Sequence, residues 1–263
     1  MKKHGTDQEQ KPTLKQLERL IAVFGGRTAK IVIRFWDNAS FAEIQAMLKI
    51  GEDNLGQTFE KLLEPMFANT DPHSAQRAYW EKIFSNHFGL GVDFSGVLVP
   101  NQPTEGKRRL IFIPQGLKMN HAAECYHKVL TAHDPKWKLW KYTNDLDATV
   151  TTNTRTSAQS YAIWVRDEVE PDAAYLGKST RVADPDGKIG VTLLERLVHG
   201  LVHFVETKKH LDEKGVTFCT GSRYSDGGVP SMYWNPDDAE VYVDWGGLAR
   251  SLPRRGLREA VSA

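Results

Sequence analysis

The sequence predicts an α+β protein, with a helix-rich α/β region over residues 1–104 and a strand-rich domain over residues 105–263. Three observations lead there. Apolar residues recur at helical spacing through most of the first hundred positions, with only short β-branched runs between them. The stretch Pro-Asn-Gln-Pro-Thr-Glu-Gly-Lys at 100–107 then reads as a linker. In the last forty-odd residues the pattern changes to alternation with period two, the mark of half-buried strands.

Taken in order, Leu14, Leu17, Leu20, Ile21 and Phe24 predict a first helix, stopped by Gly25-Gly26. Residues 31–36 read as a strand. Ser40 and Glu43 match a capping box, in which the two side chains satisfy each other's free backbone N–H groups, and open a helix to about Ile50. Leu55, Phe59, Leu62, Leu63 and Met66 mark another. Asp71-Pro72 starts a third helix, ending near Gly89, because proline at the first helical position gives up no hydrogen bond. Residues 94–99 and 109–113 read as strands on either side of the linker. Leu117, Met119, Ala122, Ala123, Tyr126, Val129 and Leu130 then predict a helix with Asn120 as its candidate cap. Strands are expected at 137–142 and 160–167, with 147–156 extended or irregular between them. Asp184-Pro185-Asp186-Gly187 is a turn, and Thr192 with Glu195 repeats the capping box at the head of a helix over 192–209. Segments 109–113 and 257–261 are expected to pair near the ends of the second domain.

The closing strands carry the functional expectation. Alternation puts Ser231, Tyr233 and Asn235 on one face and Met232 and Trp234 on the other. It also sets Tyr242, Asp244 and Gly246 opposite Val241, Val243 and Trp245. Each strand would bury a Trp/Val/Met side and present a Tyr/Ser/Asp/Asn/Gly side. That vocabulary suits an adaptable binding surface: tyrosine gives contact area for little rotamer entropy, and the small polar residues adjust hydrogen bonding. The expected ligand-binding residues are Tyr224, Ser225, Asp226, Gly228, Ser231, Tyr233, Asn235, Tyr242, Asp244, Gly246, Gly247 and Arg250.

Composition narrows the alternatives. The chain is 40% hydrophobic and 25% charged, as globular proteins are. A formal net charge of +1 leaves no electrostatic footprint for nucleic acid or an anionic membrane, so neither is an expected partner. No apolar run approaches the roughly 20 residues that span a bilayer, and residues 1–11 lack the apolar stretch of a secretory signal. Cys125 and Cys219 read as two buried thiols of a reducing compartment, which makes a cytoplasmic location the expectation. His199 and His203, four apart, could share a zinc ion. The residue after the first is Gly200, however, where the metalloprotease pattern needs glutamate, and a helical wheel groups both with Glu195, Arg196, Glu206 and Thr207 on a solvated face. His121, Glu124 and His127 lack a second ligand pair. No catalytic group, metal or cofactor is expected.

Several segments between 109 and 263 resemble a known family. They are Phe112-Ile113-Pro114-Gln115-Gly116-Leu117, Asn144-Asp145-Leu146-Asp147, Thr192 to Leu197, Lys209-His210-Leu211-Asp212, Cys219-Thr220-Gly221-Ser222-Arg223, Val229-Pro230, Trp234, Trp245 and Leu257 to Val261. This stretch is similar to the variable proteins of diversity-generating retroelements, whose C-terminal halves adopt a C-type lectin fold. The resemblance implies a display protein with a hypervariable sheet surface and a macromolecular ligand, expected to be a protein. It implies as well that adenines in Asn codons are copied into random bases, which reaches Tyr, Ser, Asp, Gly, Asn and Arg but never Trp, Met, Lys, Gln or Glu. The outward residues Ser231, Tyr233, Asn235, Tyr242, Asp244, Gly246 and Gly247 fall in the reachable set, and Met232, Trp234 and Trp245 fall outside it. Trp234-Asn235-Pro236-Asp237 and Glu170-Pro171-Asp172 also resemble, faintly, the calcium segments of sugar-binding C-type lectins. The alternative from another class is an enzyme on a lectin-like fold: a metal-dependent hydrolase using His199 and His203, or an oxidase of the formylglycine-generating kind with Cys125 and Cys219 paired.

Overall fold

Residues 71–106 and 108–262 are described by the structure, a computed structural model. The helices and strand expected between residues 14 and 67 lie outside the described residues. Helix α1 (Ser74–Ile83) follows Asp71-Pro72 as expected and widens into a π-helical turn, Phe84–Phe88, that stops at Gly89 with φ +67°. Trp80 in the helix and Phe84 and Phe88 in the turn are core residues. Trp80 donates its indole N–H to the Leu110 carbonyl, and Phe84 and Phe94 continue the ring contacts to Phe112. The stretch expected as a strand at 94–99 is a loop instead, turned by the Val97 N–H to Phe94 carbonyl bond and by Glu81, which accepts the Phe94 N–H.

Strand β1 (Arg108–Ile113) leads to helix α2 (Met119–His133), strand β2 (Lys138–Lys141), the single turn α3 (Leu146–Thr149) and strands β3 (Val150–Asn153) and β4 (Tyr161–Arg166). Asn120 does not cap α2. The Asp147 carboxylate does so from α3, accepting the N–H groups of Met119 and Asn120, while Asn120 Oδ1 accepts the Leu146 N–H. Two orphan helix N–H groups are thus satisfied across the fold, and α2 is tied to α3. A 3₁₀ turn (Ala173–Tyr175) and the short helix α4 (Thr180–Ala183) precede the 184–187 turn. There the Asp184 carboxylate accepts the N–H groups of Lys188, Ile189 and Gly190 and the Thr220 hydroxyl.

Helix α5 (Leu193–Thr207) opens with the expected capping box. It is not amphipathic in its setting: every residue from Leu193 to Phe204 is buried. His199 and His203, expected on a solvated face, are therefore core residues, 1% and 8% exposed. The reason is charge pairing on the helix's polar side. Arg196 forks onto Asp212, whose other oxygen takes Arg258, and Glu195 takes Arg155 through two hydrogen bonds. With those charges neutralised, a second layer can cover the polar side. Gly200 lets α2 approach, since a Cβ there would lie 2.9 Å from the Tyr126 ring.

The remaining strands are β5 (Val216–Phe218), β6 (Ser222–Tyr224), β7 (Val229–Asn235), β8 (Glu240–Gly246), β9 (Arg255–Leu257) and β10 (Ala260–Ser262). They complete three sheets, ordered β1-β4-β10, β2-β8-β7-β5-β9 and β3-β6. The closing strand does not pair with β1 as expected. Strand β4 lies between them, antiparallel to both, because its register of Ala162, Ile163, Trp164 and Val165 is buried and needs partners on each side. The architecture is α+β. One core runs from Trp80 through the β1 and β4 strands, α2 and α5 to the inner face of the five-stranded sheet. No helix among the described residues is long and apolar enough to cross a membrane.

Candidate functional site

The register of β7 against β8 fixes which side chains share a face. Tyr233 stands opposite Tyr242, Ser231 opposite Asp244 and Asn235 opposite Glu240, while Met232 faces Val243 and Trp234 faces Val241. Paired residues project to the same side of a sheet, so the two faces separate as the alternation predicts. The inner face is fixed hard. Met232, Val241 and Val243 are buried, and Trp234 stacks flat on the His210 imidazole at 3.7 Å, with Trp137 5.2 Å away.

On the outer face Tyr233 and Tyr242 stack at 5.2 Å, nearly parallel, and Trp140 from β2 continues the row at 5.2 Å from Tyr242. The Arg254 guanidinium lies over the Tyr233 ring at 5.9 Å. The Tyr242 hydroxyl and the Asn235 amide both donate to Asp238 in the turn beyond, which sets a carboxylate beside the central ring. The result is a line of three aromatic rings with a cation at the Tyr233 end and an acid on the hydroxyl of its central tyrosine. Trp140 (41% exposed) belongs to this row although alternation at the C-terminus could not reveal it. The sequence does mark 137–142 as a strand, but its parallel pairing with β8, Trp140 against Tyr242, spans a hundred residues of chain.

The other expected residues divide by accessibility. Ser225 and Asp226 are exposed in the turn after β6, where Asp226 accepts the Gly228 N–H and the Trp245 indole N–H. Arg250 is exposed, and Asn235, Asp244 and Gly247 are half-buried. Tyr224, Gly228, Ser231 and Gly246 are buried. A Cβ at Gly228 would sit 1.8 Å from the Trp245 ring nitrogen, and one at Gly246 would sit 2.5 Å from Phe218. These glycines seat aromatic rings against the backbone.

The chemistry elsewhere is confined. Both cysteines are free and buried, and burial pushes each thiol above its ordinary pKa. Burial drives His199 well below its usual range, with Arg258 and Arg196 adding to the effect. His203 falls to about 4 and His210 to about 3, in both cases through burial first and nearby arginines second. Neutral imidazoles among cations suit packing. Among the described residues no group of three or more His, Cys, Asp or Glu side chains converges to hold a metal. In the two calcium-like segments, Glu170 accepts the N–H groups of Lys214 and Gly215, and Asn235 bonds within its own turn. Comparison with protein-family models, with curated proteins and with solved structures gives no match to this chain.

Proposed function

We propose that the protein is a non-catalytic ligand-binding protein whose C-terminal sheet displays an exchangeable outer surface, diversified by a retroelement on a C-type-lectin-like domain. Its ligand is a protein. The observation that carries the reading is the row Trp140, Tyr242, Tyr233 and Arg254, spread over the side of the sheet opposite the tryptophan-backed core. Rigid aromatic side chains with two torsions each lose little entropy on binding, and stacked tyrosines flanked by Asn, Ser and Asp offer both contact area and hydrogen bonds. Support for the fold comes from the sheet that gathers β1 and β10 about β4, with α2 and α5 packed beneath.

The test is genetic. Reading the gene and its flanks across a population should find a nearby imperfect repeat of the last forty codons, with adenines where Tyr233, Asn235, Tyr242 and Asp244 are encoded, beside a reverse transcriptase gene. Variation among individuals should concentrate at those codons and spare Trp234 and Trp245. An invariant segment without such a repeat would overturn the reading.

A further inference from the structure

Arg255 opens the edge strand β9 and is 5% exposed, yet its guanidinium has no acceptor among the described residues. Nε and Nη1 are closed to water without a hydrogen bond, which leaves Nη2 as the outlet toward the surface. Its one specific contact is the Phe218 ring, 5.3 Å below. The other deeply buried arginines differ in kind: Arg196 and Arg258 share Asp212. A buried donor left unpaired costs about 1–3 kcal/mol, and more when it is charged, so an unanswered guanidinium calls for an anion from outside.

The surroundings point the same way. Phe218 stands opposite Ser231 in the sheet, and the fully buried Ser231 hydroxyl is unpartnered as well. Burial pulls the Arg255 pKa below its ordinary value, Arg250 and Arg254 add repulsion, and Asp244 is the acid that opposes them. Asp244 makes no ion pair with Arg255, and one of its oxygens accepts the Trp245 N–H. Three arginines thus face one carboxylate at this end of the outer face.

We propose that Arg255 is the anchor of the outer face and receives a carboxylate from an aspartate or glutamate of an acidic partner protein. The proposal rests on the binding-surface reading above and names the partner's chemistry. Through Nη2 the guanidinium can donate a charge-assisted hydrogen bond to one oxygen of a carboxylate, with the partner's neighbouring side chains lying on Tyr233 and Tyr242. A nucleic acid strand fits worse. Following the aromatic row, its phosphates would run onto Asp238, which takes the Tyr242 hydroxyl, and Glu240, which stands beside Asn235.

The experiment is a titration of the full chain, watched through arginine side-chain ¹⁵N resonances. The probes are acetyl-Gly-Glu-Gly-amide, its Gln counterpart and a short oligothymidylate. The glutamate peptide should shift the Arg255 Nε–H signal saturably, with a dissociation constant on the order of millimolar. The glutamine peptide should bind at least about tenfold more weakly, a difference of about 1.4 kcal/mol. Arg255→Lys assigns the signal and should abolish the effect, with Arg255→Gln in reserve if the lysine variant does not fold. Lys128→Gln, on the exposed side of helix α2, should bind as the parent does. No saturable shift, equal response to both peptides, binding that survives loss of Arg255, or preference for the oligothymidylate would each overturn the proposal. A failed titration leaves the codon test standing, and an invariant gene leaves the titration standing, so the two readings fail separately.

Discussion

Acid should loosen the support beneath the outer face through His210. This imidazole is 3% exposed, stacks on Trp234 at 3.7 Å and touches Phe204 and Trp137, with both ring nitrogens unpartnered. Burial, with Arg196 adding to it, lowers its pKa from 6.5 to about 3. When the folded pKa lies below the unfolded one, the unfolded chain takes the extra proton. The histidine therefore costs nothing above about pH 6.5 and costs progressively more as pH falls toward 3. At pH 5 the cost is about 2 kcal/mol, and His203, lowered to about 4, adds a similar amount. Cation–π attraction from the neighbouring rings would favour the charged form by up to about 2 kcal/mol, less than the full depression corresponds to, so the sign stands. Urea unfolding followed by tryptophan fluorescence at pH 7.5 and 5.0 tests this. Between the two pH values His210→Leu should lose about 2 kcal/mol less stability than the parent protein. The difference is diagnostic, because Asp172, which burial holds above the ordinary carboxyl range, contributes with opposite sign in both proteins. Equal losses, or a His210 resonance titrating at its ordinary pKa, would refute the reasoning.

Two further outcomes follow from the same packing. Asp212→Asn leaves Arg196 and Arg258 facing each other without their shared anion and should cost about 3–5 kcal/mol in urea unfolding; a loss below about 1 kcal/mol would mean that the pair finds another acceptor. Gly228→Ala drives a methyl group into the Trp245 ring and should cost about 1–3 kcal/mol, whereas Ser225→Ala, three residues away and exposed, should stay within about 0.5 kcal/mol. If thermal unfolding finds the two equal, Gly228 is not the seat of Trp245.

The sequence by itself determined what local physics governs. The capping box at Thr192 and Glu195, the helix stop at Gly89 and the sorting of Tyr233 from Trp234 each depend on a few neighbouring residues and on a fixed side-chain period. Only the tertiary structure decided where the faces went. The polar side of α5 reads as solvated until Asp212, sixteen residues beyond Arg196, returns to neutralise it, and His199 and His203 are buried as a consequence. Alternation likewise tells which residues share a side but not what covers that side. Ser231 and Gly246 lie on the outer face yet are buried, and Arg255, which carries no period at all, emerges as the buried cation beside them. Pairing of distant strands, such as Trp140 against Tyr242 or β4 between β1 and β10, is paid for in chain entropy and rewarded only by the completed core, so no local pattern encodes it.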